Sequence, residues 1–137
     1  MSIVKRSKMA NKNNKDIIED QMIHIHHDHS SWLKILDFHE NEIDFFKKEL
    51  QIVVNANASS MSVIEHVEEY REILERKLLT LRELQEEIKY QQKILTMDEI
   101  LPDNIDYHLT MREKMDQFVN NYKTLKPLLR RFSSHSD

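Results

Sequence analysis

Histidine is the residue type in this chain best suited to chemistry, and it is clustered. The stretch IHIHHDHSSWLKILDFHENE, residues 23–42, holds five of the chain's eight histidines. Imidazole can ligate a transition metal, shuttle a proton or titrate near neutral pH. A metal site on a helical scaffold needs ligands spaced i, i+3 or i+4, joined by ligands from a facing helix. His26 and His29 have that spacing, and so do His39/Glu42 and His66/Glu69, each reading H-x-x-E. Di-iron carboxylate bundles use the reverse order, E-x-x-H, and this chain has no such pair. The candidate ligands are therefore His24, His26, His29, His39 and His108, and the best cluster joins His108 to His24, Gln21 and Gln91. Its weakness is the lack of a well-placed carboxylate.

The histidines belong to a helical pattern. Ile18, Ile25, Trp32, His39, Phe46 and Val53 recur every seven residues, interleaved with Met22, His29, Leu36, Ile43 and Leu50. This 4-3 alternation is the seam of a helix packed in a left-handed bundle. It predicts one helix over about 16–54, about 58 Å long at 1.5 Å per residue. His29 and His39 then fall in the core, whereas His24, His26 and His27 lie off the seam. The alternative is a break at Ser30-Ser31, giving a four-helix count. NANASS suits a turn, with Asn in the left-handed conformation in a chain without Gly. Ser62-Val63-Ile64-Glu65 reads as a capping box opening a second helix over about 62–96, with the stripe Val67, Leu74, Leu81, Ile88, Leu95. Asp103 is placed to cap a third, over about 103–133. Its seam is Ile105, His108, Met111, Met115, Phe118, Tyr122, Leu125, Leu129, Phe132, with a kink or break expected near Pro127.

The expected fold is thus an all-α antiparallel three-helix bundle of long, coiled-coil-like helices. Short connections level His29 with Leu84 and Met115, and His39 with Leu74 and Leu125–Lys126. They bring His108 near Gln91, Gln92 and Met22. The candidate partners of His39 are the Tyr122 hydroxyl, Glu75 and the Lys123 carbonyl.

Composition narrows the function. The chain has 137 residues, one domain's worth. With no Cys there is no disulfide and no thiolate ligand or nucleophile. With no Gly there is no phosphate-cradling loop, dinucleotide fingerprint or nucleophile elbow. No apolar run approaches the roughly 20 residues of a membrane span, and the N-terminus lacks the apolar core of a secretory signal; a cytoplasmic location is expected. Residues 1–15 carry five Lys/Arg and no acid, while the remainder carries fifteen Lys/Arg against twenty-four Asp/Glu. That reads as a basic disordered arm on a single acidic bundle domain, residues 16–137. Five charges without interleaved aromatics make a poor nucleic-acid signal.

WLKILDFHENEIDFFKKELQIVV and VIEHVEEYREILERKLLTLRELQEEI resemble a group of small, uncharacterised all-helical proteins from Bacteroidetes. The likeness is carried by Trp32, Leu33, Leu36, Phe38, Glu42, Ile43, Phe46 and Ile64-Glu65-His66, about half the chain. It implies the helical fold and transfers no site. The expected function is a non-enzymatic protein–protein interaction or structural module without a cofactor. The alternative is a histidine-dependent bundle that binds or stores a divalent transition metal. The third helix is expected to stop short of the hairpin tip, leaving Leu50, Val53, Ile64 and Val67 partly exposed. With the flanking stripe Phe38, Phe45 and Ile52, that patch is the expected docking surface for a protein partner or a second copy.

Overall fold

The computed structural model describes residues 14–95 and 102–134. Three helices occupy them: α1, Asn14–Ala56; α2, Met61–Leu95; and α3, Pro102–Ser134. No strand occurs among the described residues. The basic arm lies outside them, apart from Asn14 and Lys15, which open α1. Helix α1 runs unbroken through Ser30 and Ser31, so the four-helix alternative is not supported. Both serines are exposed, and the buried seam on either side, Ile25, His29, Trp32 and Leu36, keeps its spacing. Tertiary burial therefore outweighs the weak helix preference of serine.

The turn after α1 closes differently from the sequence expectation. No described residue has a positive φ, so Asn57 does not take the left-handed conformation. Its side chain instead donates from Nδ2 to the Val53 carbonyl at 2.9 Å, satisfying an end-of-helix acceptor. The cap of α2 is Ser60, not Ser62. The Val63 amide donates to Ser60 Oγ at 3.4 Å, and the Ile64 amide donates to the Ser60 carbonyl at 3.1 Å. Helix α3 starts at Pro102, where a proline gives up no intrahelical bond. It also continues through Pro127 without a break. Pro127 and Lys123 both face solvent, so water can satisfy the Lys123 carbonyl that the missing amide leaves free. Leu125 and Leu129, buried on either side, hold the helix on the core.

Most of the core is one cluster drawn from all three helices, running from Trp32, Ile88 and Met111 to Val53, Val67 and Leu129. A second, smaller cluster is Ile25 and Leu95, with Met22 and Ile105 against it. Helices α1 and α2 pack on each other more extensively than either does on α3. Along their rim, Glu40 meets Arg82 at 3.8 Å, Lys47 meets Glu75, and Gln51 accepts from Arg71 at 3.1 Å.

The register of α1 differs from the sequence expectation by more than a turn against both partners; on α2, Glu40 meets Arg82, where the expectation is His39 level with Leu74. His29 faces His108 rather than Met115, and His39 faces Phe118 and Tyr122 rather than Leu125. Side-chain pairing across the two helices decides this. Asp28 binds Arg112 and Glu42 binds Lys126, two heptads apart on both helices, with half-buried Ile35 and Val119 lining one cavity between them. The shift brings Leu50 and Val53 of α1 into the core cluster with Leu129 of α3. Phe132 packs against Tyr70 at 5.0 Å and His66 at 6.2 Å between ring centroids. Leu50, Val53 and Val67 are consequently buried inside the chain, and Ile64 is half-buried. Of the four residues expected to be partly exposed at the tip, only Ile64 is so.

Candidate functional site

Three polar side chains are buried among the described residues: His29, Gln91 and His108. Each helix supplies one. His29 lies between Ile25 and Trp32 on α1, Gln91 between Ile88 and Leu95 on α2, and His108 between Ile105 and Met111 on α3. A polar layer therefore separates the two apolar clusters. His29 is 1% exposed and His108 7%. Their ring centroids are 5.3 Å apart, and Trp32 covers both, tilted on His29 at 5.8 Å and stacked on His108 at 4.8 Å.

Asp28 anchors the layer at its rim. His108 Nε2 donates to Asp28 Oδ2 at 2.9 Å, and Arg112 Nη2 donates to the same oxygen at 2.8 Å. With Nε2 committed to a carboxylate, neutral His108 carries its lone pair on Nδ1. That Nδ1 and the Nδ1 of His29 are buried without a hydrogen-bond partner among the described residues. Burial pushes the His29 imidazole down to about 4, helped by His108 and His26 and opposed by Asp28. At Asp28 burial acts upward, but the hydrogen bonds from His108 and Arg112 and their charges prevail and hold its carboxyl below the ordinary value.

A second polar group lies lower on the same α1–α3 interface. Lys126 Nζ meets Glu42 Oε2 at 2.6 Å and sits 5.7 Å above the Phe38 ring. His39 packs its ring on Tyr122 at 4.6 Å and on Phe118 at 5.7 Å. Its Nδ1 is 3.8 Å from Glu42 Oε1, too far for a hydrogen bond. Those two atoms and the Tyr122 hydroxyl are buried without a hydrogen-bond partner among the described residues. Burial lowers His39, with Lys126 acting the same way and Glu42 against. Burial, and then the Glu42 carboxylate, raise the Tyr122 phenol.

Of the five candidate ligands, the structure brings His26, His29 and His108 into one neighbourhood, with His26 edge-on to His29 at 6.5 Å. His24 is exposed, and His39 belongs to the second group. The expected cluster of His108 with His24 does not form, because the register of α3 sets His108 against His29 and Trp32. Among the described residues no group of three or more His, Cys, Asp or Glu side chains is placed to hold a metal ion. Of the candidate partners of His39, Tyr122 is in contact through its ring, whereas Glu75 pairs with Lys47 on the opposite rim. The sequence reading missed Asp28 and Arg112. The signal was present in the heptad positions: Asp28 and Glu42 flank the α1 seam just as Arg112 and Lys126 flank the α3 seam, where interhelical ion pairs form.

No helix among the described residues is long and apolar enough to cross a membrane. No protein-family model, curated protein or solved structure matches this chain, so its function is argued from the geometry alone.

Proposed function

We propose that this chain is an antiparallel three-helix bundle acting as a non-enzymatic interaction module, and that it docks a second copy of itself through α1. The antiparallel arrangement of α1 and α2 is supported by their rim pairs. The partners of residues 40, 47 and 51 are residues 82, 75 and 71, falling as the first numbers rise.

The observation that carries the interaction reading is the stripe Phe38, Phe45 and Ile52, exposed by 56%, 56% and 55%. These residues recur every seven positions along one rigid helix, as anchors for another helix do. The stripe is also self-complementary. A two-fold axis at Phe45 sets Phe38 of each copy level with Ile52 of the other, so apolar faces apolar along its length. Closed two-fold pairing is the commonest way for such a face to be covered. Three side chains make a small contact beside the roughly 800 Å² per partner of a standard interface, so the dimer is expected to be a weak one. The polar groups of the α1–α3 interface serve pairing between helices in this reading.

Light scattering and sedimentation of the full chain from low to high micromolar concentration test it. The expected result is a concentration-dependent dimer that Phe45→Glu dissociates without loss of helix content. A monomer at several hundred micromolar rejects the self-docking face.

A further inference from the structure

The buried histidines share one interface. His29 and His39 are on α1, and their ring partners His108, Phe118 and Tyr122 are on α3. None of the buried side chains of α2 titrates; its member of the polar layer is Gln91. Helices α1 and α2 are the more extensively packed pair, and their rim pairs contain no histidine. Added protons therefore act where the buried rings of α1 meet α3, and α2 contributes no buried group to charge.

We propose that α3 is an acid-released latch: protonation of His29, buried against His108 and Trp32, frees the N-terminal half of α3 from the α1–α2 pair and uncovers Trp32, Leu36, Met111 and Met115.

The charges that face the layer explain why it cannot absorb the protons. His26 and Asp28 face it from α1, His108 and Arg112 from α3, and uncharged Gln91 from α2. Asp28 is the one acid among them. It already holds Arg112 and His108 through a single oxygen, and its charge only partly offsets a proton on His29. A charged His29, 1% exposed and 5.3 Å from the His108 ring, is cut off from water in the closed interface. The second group adds to this. A charged His39 faces Lys126 of α3, and Glu42 is already engaged by that lysine. Opening hydrates the charged rings, and the α1–α2 pair, the more extensively packed, stays associated.

The sign follows from His29. Its folded value of about 4 lies below the ordinary 6.5, so the closed form binds fewer protons than the open one. Closure is favoured above pH 6.5 and is lost as pH falls from 6.5 toward 4. One extra proton bound on opening raises the opening constant by up to about tenfold per pH unit across that window.

Hydrogen exchange of the full chain, expressed as protection factors at pH 7.5 and 4.5, tests the latch. Trp32 is the only tryptophan in the chain, so its emission reports on the same layer. On acidification α3 residues 104–118 are expected to lose protection at least tenfold more than α2 residues 67–88. Trp32 emission is expected to shift to the red while the helical circular dichroism of α1 and α2 persists. His29→Leu, close in volume and unable to titrate, is expected to cut the loss in α3 about tenfold or more. His29→Gln serves the same comparison if the leucine variant does not fold at pH 7.5. Full protection of α3 at pH 4.5 overturns the proposal. So does loss of protection in α2 and α3 together, or an unchanged acid response in the variants.

Discussion

Trp32 of α1 lies on the imidazole of His108 of α3, with ring centroids 4.8 Å apart and planes 24° from parallel. The same imidazole donates to Asp28, one turn earlier on α1. One α3 side chain thus joins the apolar core to the charged rim and sets which residues of the two helices meet.

His108→Ala should therefore be among the more damaging single changes. It removes the stacked ring beside Trp32 and the hydrogen bond to Asp28, and it leaves a cavity. A loss of about 2–4 kcal/mol in urea unfolding is expected. Arg112→Ala, at a half-exposed position on the same carboxylate, should cost under about 1 kcal/mol. Equal losses for the two variants would show that the rim ion pair, and not the stacked ring, holds the layer.

Tyr122→Phe tests the unpartnered polar atoms. The Tyr122 side chain is 1% exposed, and its hydroxyl lies against the Glu42 carboxylate without a well-formed hydrogen bond. Deleting that hydroxyl should be neutral or should stabilise by up to about 1 kcal/mol, because a buried polar group without a partner is unfavourable. A loss above about 1 kcal/mol in chemical denaturation would mean the hydroxyl is satisfied in solution.

The two serines at the start of α2 separate the two readings of its cap. Ser60→Ala should cost about 1 kcal/mol, since its hydroxyl accepts from the Val63 amide. Ser62→Ala, exposed and already inside the helix, should shift the thermal midpoint little. The reverse order of the two effects would restore the capping box at Ser62.

His39→Leu bears on acid sensitivity. Burial lowers the folded value of His39 below 6.5, so its contribution to stability is present above pH 6.5 and is lost as pH falls toward the folded value. The variant should keep its stability at pH 7.5 to within about 1.5 kcal/mol and lose less than the wild type at pH 5. Denaturation midpoints at the two pH values give the comparison, and parallel losses in both proteins would rule His39 out as a source.

Metal exposure addresses the remaining histidine reading. The described histidines do not converge three to a site, so stoichiometric zinc should leave the melting temperature of the untagged protein unchanged. A rise that a chelator reverses and His29→Leu abolishes would establish a site built from His26, His29 and His108.

The heptad seams by themselves determined the helices. Burying a stripe every three or four residues allows only a helix of that phase, and the two ends that face each other across the turn, Ala56 and Met61, fall within two residues of those read from spacing. The exposed positions Phe38, Phe45 and Ile52 were legible for the same reason, because they lie off the stripe. Turn and cap details were only partly legible. Several Asn and Ser residues compete there, and the choice among them depends on a hydrogen bond or two. What only the tertiary structure decided is which residues stand level between α1 and its two neighbours, Glu40 with Arg82 on α2 and His29 with His108 on α3. A heptad repeat looks the same when slid by seven, so periodicity cannot choose between Met115 and His108 as the neighbour of His29. The choice was made by complementary pairs that recur at the same spacing on both helices, Asp28 with Arg112 and Glu42 with Lys126, and by the fit of Trp32 on His108. That register buries Leu50, Val53 and Val67 and brings the His29 and His108 rings to 5.3 Å of each other at the α1–α3 interface.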